Sequence, residues 1–185
     1  MPPVRQLRDV QPVEQSVTTY FKTVLSSPVG DLLLTSDGEN LTGLWITGQT
    51  PDKTADAAVE NDALPVFLKT KDWLDRYFAG QRTTPDELPL KPAGNAFRQW
   101  VWAILREIPY GETTTYGAIA RRIESETGGR MSAQAVGGAV GHNPVSIVIP
   151  CHRVLGANGR LTGYAGGLHL KTALLKIEKA DVRLV

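Results

Sequence analysis

A proline-containing segment, residues 81–94, divides the chain into two parts with different hydrophobic patterns. It holds three prolines and has no apolar period, which is typical of a linker. We therefore predict an N-terminal domain over residues 1–92 and a C-terminal domain over residues 93–185. The N-terminal domain begins with a loose tail, residues 1–16, because that stretch shows no periodicity.

Strand patterns come first in the N-terminal part. Three short β-rich runs, at residues 17–25, 32–35 and 41–46, are separated by turn signals that contain glycine. Residues 64–78 then place apolar side chains mostly at helical spacing. A small antiparallel meander with one helix packed on it is the predicted structure.

Helical patterns fill the C-terminal part. An apolar stripe over residues 97–108 predicts a first helix, residues 113–115 can cap a second, and Ser132 can cap a third. A last helix is predicted over residues 168–180. The second and third helices resemble a helix-turn-helix, but their connection, residues 124–131, is longer than the usual turn, so we predict a variant of that motif.

The predicted fold class is α+β: a small N-terminal β-sheet and helix domain, followed by a mainly helical domain with a helix-turn-helix-like, winged-helix-like DNA-binding element. Charge separates the same two parts, with a net charge of −4 for residues 1–92 and +5 for residues 93–185. A basic second half suggests an anionic partner such as a phosphate backbone, although solvated surface charge explains the asymmetry equally well.

Several classes of protein are excluded by the composition. A single cysteine cannot form an internal disulfide, and three scattered histidines lack a metal-ligand spacing, so neither a metal nor any other cofactor is expected. Residues 1–15 carry charges and prolines where a signal peptide needs an apolar stretch, and the apolar run at residues 147–150 is too short to cross a bilayer. We expect a cytoplasmic protein without membrane contact.

The most informative stretch is residues 147–154, a β-branched run interrupted by Pro150 directly before Cys151 and His152. We interpret it as a strand that ends at the proline and presents the thiol on a turn. A thiol becomes a good nucleophile where a base or a positive charge favours the thiolate, and His152 and Arg153 are residues of that kind. The alternative is a cysteine that serves as a small buried hydrophobe.

Longer motifs resemble the active-site signature of the O6-alkylguanine-DNA alkyltransferase family. The similarity is strong over residues 93–180, whereas the first half resembles the family only in its order of elements and in residues 77–80. The motifs are Pro-Cys-His-Arg-Val at 150–154, Gly-His-Asn-Pro at 141–144, Gly-Tyr-Ala-Gly-Gly-Leu at 163–168, Ile-Pro-Tyr-Gly-Glu at 108–112, Thr-Tyr at 115–116 and Ala-Val-Gly-Gly-Ala at 135–139.

The resemblance implies a DNA-repair methyltransferase that uses its own cysteine once. Cys151 would take a methyl or small alkyl group from O6 of guanine, with His152 accepting the thiol proton through a water and Glu178 holding the imidazole. Tyr116 would protonate the departing purine, and Asn143 would brace the cysteine loop. From the residues alone, Tyr116 is equally a core tyrosine, Asn143 a turn cap and Glu178 a solvated helix-end acid.

The family also implies a guanine pocket and a DNA-binding surface around the third helix. The base would rotate out of the duplex into the pocket, while the helix enters the minor groove. Tight helix packing explains the small residues of that helix as well, and the arginines can be solvated charges. The pocket residues are expected to be Pro150, Val154, Tyr164, Ala165 and Gly166, and the DNA contacts Thr115, Arg121, Arg122, Ala133, Gln134, Ala135, Gly137 and Arg153.

Two residues depart from the family pattern. Gln134 stands where an arginine usually fills the hole left by the flipped base, which implies weaker DNA binding or slower repair. Ala165 lacks the hydroxyl that some members have, which leaves backbone N–H groups near Tyr164 and Gly166 to bind O6. The expected partner is double-stranded DNA containing O6-alkylguanine, bound by a monomer that can cluster on DNA. A damage-binding relative, a cysteine hydrolase and an alkylation-sensing regulator are the alternatives.

Overall fold

A computed structural model describes residues 18–181, so the predicted tail at 1–16 lies outside the described residues. Three antiparallel strands form the predicted meander: β1 (Phe21–Leu25), β2 (Leu32–Ser36) and β3 (Leu41–Ile46). A two-residue strand that the sequence does not predict, β4 (Val59–Glu60), pairs parallel to β1 and completes the sheet order β3-β2-β1-β4.

Two helices accompany this sheet. The short α1 (Lys53–Ala57) begins at Asp52, whose carboxylate accepts from the Thr54 N–H, and it has no counterpart in the prediction. The longer α2 (Pro65–Phe78) agrees with the predicted helix and packs against β2. Its proline occupies the first turn, where the missing N–H costs no intrahelical hydrogen bond.

The segment between the two parts of the chain is packed rather than loose. It contains a 3-10 turn, Pro85–Glu87. Its backbone also forms hydrogen bonds with Leu41 in β3: the Pro89 carbonyl accepts from the Leu41 N–H, and the Lys91 N–H donates to the Leu41 carbonyl. Leu88 is 4% exposed, which anchors the segment to the core. The segment also forms ion pairs with both parts of the chain, Glu87 with Arg76 and Asp86 with Arg106. The position of the domain boundary stays a prediction.

Four further helices follow, and two of them have the predicted caps. They are α3 (Ala96–Arg106), α4 (Tyr116–Thr127), α5 (Ala133–Gly141) and α6 (Leu168–Ile177). Thr115 and Ser132 accept hydrogen bonds from the first-turn N–H groups of α4 and α5. Helix α4 ends at Gly128 with φ +70°, a left-handed cap that glycine adopts without strain. The connection is consequently residues 128–132, shorter than predicted.

One hydrophobic cluster extends through both parts of the chain. It is continuous from the sheet through α2 and α3 to α6, and it includes Leu34, Phe67, Trp102, Ile123 and Leu174. The indole N–H of Trp102 donates to the Ala139 carbonyl at 2.9 Å, which joins α3 to α5. Burial of such side chains contributes about 1.5–3 kcal/mol each, so the two parts stabilise each other. Among residues 18–181, no helix is both long and apolar enough to cross a membrane.

Candidate active site

The segment before Cys151 is a buried loop and not the predicted strand. Residues 147–149 form turns, and Ile147 has φ +69° although it is β-branched. Leu44 of β3 donates to the Pro144 carbonyl and accepts from the Ser146 N–H, both at 2.8 Å. The β-branched run therefore fills the core beside the sheet, and only Val145 makes a strand-like bridge to it.

Asn143 holds this loop in shape. Its side-chain amide donates to the Ile149 carbonyl at 2.8 Å, and its Oδ1 accepts from the Val145 N–H at 3.0 Å. The residue is 9% exposed, and its side-chain hydrogen bonds replace the backbone ladder that a true strand would have supplied. The loop consequently delivers Cys151 to a fixed position.

Cys151 begins a 3-10 turn, Cys151–Arg153, and lies at the wall of a cavity of about 180 Å3. The thiol-bearing residue is 7% exposed. We call this space the active-site cavity; its lining is Gln49, Tyr116, Gly137, Val140, Gly141, Asn143, Ser146, Cys151, Gly163, Tyr164 and Ala165.

Behind the cysteine, His152 and Glu178 form a buried pair. His152 Nε2 lies 2.6 Å from Glu178 Oε1, and the Tyr77 hydroxyl donates to the same oxygen at 2.8 Å. The other imidazole nitrogen, Nδ1, is buried without a hydrogen-bond partner among the described residues. Glu178 follows directly on α6 as its C-cap, since the helix ends at Ile177, short of the predicted residue 180.

Arg153 completes this network, which corrects one prediction. Its guanidinium binds both carboxylate oxygens of Glu178, at 2.9 and 3.0 Å, and donates to the Ile108 carbonyl at 2.6 Å. The residue is only 2% exposed. The prediction that Arg153 contacts DNA is therefore wrong, because its charge is buried and already paired.

The burial of this network sets the charges in the site. Burial opposes ionisation of Glu178, but His152 and Arg153 outweigh it and lower the pKa of the carboxyl to about 2. Burial also lowers the pKa of His152, against the influence of Glu178. For Cys151, burial raises the thiol pKa, and Asn143 and Lys171 only partly counteract it. The resting site thus pairs a neutral thiol with a neutral imidazole.

The predicted pocket residues divide into two groups. Tyr164 and Ala165 line the active-site cavity, and Gly166 follows them in the same loop. Pro150 and Val154 are buried and, like Gly166, are not among the lining residues, so their place in the pocket stays a prediction. Val154 belongs to a short parallel pair, β5 (Thr114–Thr115) with β6 (Val154–Leu155).

Tyr116 and Tyr164 bring two phenols to the cavity. The Tyr116 hydroxyl lies 3.4 Å from the carbonyl oxygens of Thr162 and Gly163, the limit of a hydrogen bond. Burial, with a smaller contribution from Cys151, raises the pKa of both phenols. Both are therefore protonated at neutral pH and can act as donors.

A surface groove of about 570 Å3 adjoins the cavity and shares Tyr116 and Gly137 with it. We call it the α4–α5 groove. It brings together many of the predicted DNA contacts: its lining is Thr115, Tyr116, Gly117, Arg121, Ala133, Gln134, Gly137, Ala157 and Asn158. Ala135 is exposed but lies outside the lining. Arg122 also lies outside it, and binds Glu107 and Glu126 on the surface.

Comparison with known proteins agrees with this geometry. Family models described as 6-O-methylguanine DNA methyltransferase match over residues 20–92, as its ribonuclease-like domain, and over residues 96–180, as its DNA binding domain. The chain belongs to this methyltransferase family. The methylated-DNA--protein-cysteine methyltransferase of Haemophilus influenzae is 46% identical over 165 residues, which are 88% of each chain.

Solved structures of the same family resemble this one along most of the chain. The O6-methylguanine methyltransferase of Mycobacterium tuberculosis is 42% identical with a TM-score of 0.76, over 90% of this chain and 97% of that one. The Mycobacterium tuberculosis OGT in complex with DNA is 43% identical with a TM-score of 0.75, over 87% and 92%. The α+β fold of the methyltransferase family is thereby established for this chain.

Several residues of this methyltransferase site are absent from the sequence-based prediction, among them Gln49, Ser146, Lys171 and Tyr77. Lys171 is fully buried, and its ammonium donates to the carbonyls of Val154 at 2.5 Å and Thr162 at 2.8 Å. Burial lowers its pKa to about 8. Its spacing in the sequence could have predicted this burial, because Lys171 lies three residues before Leu174 on the apolar face of α6. Tyr77 lies in the segment 77–80 that resembles the family, but its partner is 101 positions away.

Proposed function

We propose that this protein repairs DNA by direct reversal, moving a methyl or other small alkyl group from O6 of guanine to the sulfur of Cys151. The observation that carries the proposal is the position of this thiol. It lines a cavity that adjoins the α4–α5 groove, and the next residue, His152, is bound to a buried carboxylate. The family's activity on methylated DNA agrees with that arrangement.

The first step is removal of the thiol proton. His152 accepts it at Nδ1 through a water, while Nε2 stays bound to Glu178, whose negative charge stabilises the imidazolium that forms. Glu178 does not take that proton itself, because His152 and Arg153 keep the pKa of its carboxyl low. The buried thiol thus becomes a thiolate only when it reacts.

The second step is an in-line displacement at the alkyl carbon. A bond forms between Cys151 Sγ and carbon, the carbon–O6 bond breaks, and its electron pair stays with the purine. Tyr116, whose phenol is protonated, donates a proton to that departing purine and regains one afterwards. The thiol loses one proton and guanine gains one, so the reaction is balanced without a cofactor.

The target base has to leave the duplex to reach the thiol. Cys151 is buried, and the way in from the α4–α5 groove passes Tyr116 and Gly137. We propose that α5 lies in the minor groove, with Gln134 at the space left by the base and Thr115 and Arg121 at the backbone. The protein would act as a monomer on double-stranded DNA, in the compartment that holds the DNA.

Each molecule should act once. The product is a thioether, which has no leaving group that water displaces easily, and the sequence has no second cysteine to accept the group. A cysteine hydrolase that used Cys151, His152 and Glu178 would instead turn over repeatedly on an ester or peptide. Stoichiometry therefore distinguishes the two functions.

The test is the intact mass of the protein after incubation with a short duplex containing O6-methylguanine, followed by peptide mapping. We expect a gain of one methyl group at Cys151, restored guanine and a stop at one equivalent, and no gain in Cys151→Ala. Binding of the duplex without a mass change would favour a damage-binding protein. Neither binding nor a mass change would favour the hydrolase.

A further inference from the structure

A side chain from the N-terminal part of the chain forms part of the wall of the active-site cavity. Gln49 follows β3, yet it lines the cavity beside Ser146 and Ala165. The α4–α5 groove meets the cavity at Tyr116 and Gly137, and Gln49 is not among the groove residues. Gln49 therefore belongs to the part of the cavity wall that is not shared with the groove.

Hydrogen bonds hold Gln49 in this place. Its Oε1 accepts from the Ile46 N–H at 2.8 Å and from the Ser146 hydroxyl at 2.9 Å. Its Cγ also lies close to Gly166: a Cβ added at that glycine would be 3.4 Å away. Gln49 thus spans the gap between the loop that carries Cys151 and the loop that carries Tyr164.

Beyond Gln49 lies a second space, of about 360 Å3, which we call the adjacent cavity. It shares Gln49, Gly141, Asn143 and Ala165 with the active-site cavity. Its remaining lining is Trp45, Thr50, Pro51, Asp52, Ala93, Arg98, His142 and Pro144. Two cavities with a common wall become one larger cavity when a side chain in that wall is shortened.

We propose that Gln49 determines which O6 substituents the site accepts. With Gln49 in place, a methyl group fits between the base and the sulfur of Cys151, whereas a benzyl group meets the glutamine side chain. Without it, the aromatic ring can extend into the adjacent cavity, toward Trp45 and Pro51. This inference rests on the proposed alkyl transfer, and it gives the N-terminal part of the chain a direct role in selecting the substrate.

The experiment measures single-turnover rate constants with two duplexes of the same sequence, one containing O6-methylguanine and one O6-benzylguanine. The ratio of the benzyl to the methyl rate constant is compared between the wild type, Gln49→Ala and Gln49→Ser, the last of which keeps a polar group on a short side chain. We expect the ratio to rise at least tenfold in a Gln49 variant that still transfers methyl.

Thr50→Ala is the matched control. Thr50 lines the adjacent cavity but not the active-site cavity. Shortening Thr50 therefore enlarges the adjacent cavity without opening the wall between the two cavities. The ratio of the benzyl to the methyl rate constant should stay at the wild-type value. An unchanged ratio in Gln49 variants that transfer methyl would refute this inference alone. The same rise in Thr50→Ala would also refute it. A wild-type protein that transfers no methyl would refute the proposed function, and this inference with it.

Discussion

His152 Nε2 and Glu178 Oε1 are 2.6 Å apart, and neither side chain has any exposed surface. The pair fixes the orientation of the imidazole and leaves Nδ1 without a partner among the described residues, and Nδ1 is the nitrogen that the proposed mechanism uses to accept the Cys151 proton. Since Arg153 neutralises the carboxylate, the imidazole does not have to be charged in the resting protein. The acid–base behaviour of the reaction follows from this arrangement.

The rate of alkyl transfer should be insensitive to pH over the neutral range. Burial lowers the pKa of His152 below its ordinary value of 6.5, so the imidazole stays neutral and able to accept a proton down to that pH. Burial raises the pKa of Cys151 above 9.0, so thiolate formed without His152 contributes little to the rate below pH 9.0. We expect single-turnover rate constants to be level between pH 6.5 and 9.0 and to fall only in more acidic buffer. A midpoint above pH 6.5 would contradict the neutral imidazole.

Glu178→Gln should destabilise the protein strongly. The change leaves the buried guanidinium of Arg153 without a counter-charge, which costs about 3–5 kcal/mol for a buried pair. Glu107→Gln is the control, because Glu107 binds Arg122 on the surface, where loss of a pair costs about 1 kcal/mol or less. Urea unfolding measures both. Equal losses in the two variants would mean that burial adds nothing to the Glu178 pair.

The same carboxyl should make the protein sensitive to acid. Its pKa falls from an ordinary 4.5 to about 2 on folding, so its stabilising contribution is complete above pH 4.5 and disappears as the pH falls toward 2. This shift corresponds to about 3 kcal/mol. The free energy of unfolding of Glu178→Gln should therefore change less than that of the wild type across this range.

The sequence predicts the helices of the second half well, and the reason is local. Thr115 and Ser132 cap α4 and α5 through hydrogen bonds to N–H groups three residues later, so the signal and the structure are adjacent. The same holds for the three-stranded meander. By contrast, β4 has only two residues and forms because it pairs with β1. No local sequence pattern predicts that pairing.

Burial explains the predictions that are wrong. The β-branched run at residues 147–149 has the composition of a strand, but the Asn143 side chain supplies hydrogen bonds that a strand would find in a sheet. Arg153 has the sequence signature of a surface cation, and the carboxylate that neutralises it stands 25 positions later. Contacts between residues so distant depend on the packing of α6, which a single sequence does not reveal.

Lys171→Met should loosen the active-site cavity while keeping the bulk of the side chain. The ammonium of Lys171 holds the carbonyls of Val154, Thr162 and Gly163 together, and its loss leaves them without that donor. We expect stability to fall by about 1–3 kcal/mol and alkyl transfer to slow by at least tenfold. Lys176→Met, on the same helix but exposed, is the control for both urea unfolding and transfer rate. Equal behaviour of the two variants would contradict a role for Lys171.

Arg121 and Arg122 are neighbours that should differ in their effect on DNA binding. Arg121 lines the α4–α5 groove and forms no ion pair among the described residues, whereas Arg122 binds Glu107 and Glu126. Arg121→Ala should weaken binding to any duplex and reduce the slope of log K against log salt by about 1. Arg122→Ala should leave that slope nearly unchanged. Titrations at several salt concentrations measure both slopes, and a wild-type slope in Arg121→Ala would place Arg121 outside the interface.

Gln134→Arg should strengthen binding to a duplex containing O6-methylguanine. Gln134 is exposed in the first turn of α5 and lines the α4–α5 groove beside Gly137, at the position where the family usually carries arginine. A charged donor at the space left by the flipped base gains about 1.5 kcal/mol, roughly tenfold in affinity. A cation at a helix N-terminus costs about 0.3–1 kcal/mol of stability, so a slightly lower Tm should accompany the tighter binding.

The control for this change is Gln81→Arg. Gln81 is exposed in the loop after α2 and does not line the groove, so it adds the same charge without a contact. A general electrostatic attraction would raise the affinity of both variants for undamaged and damaged duplexes alike. A contact inside the duplex would raise the affinity of Gln134→Arg alone. The gain would be larger for the damaged duplex, because the flipped base creates the space that the arginine fills. If Gln134→Arg gains no more than Gln81→Arg, then α5 does not enter the duplex at this residue.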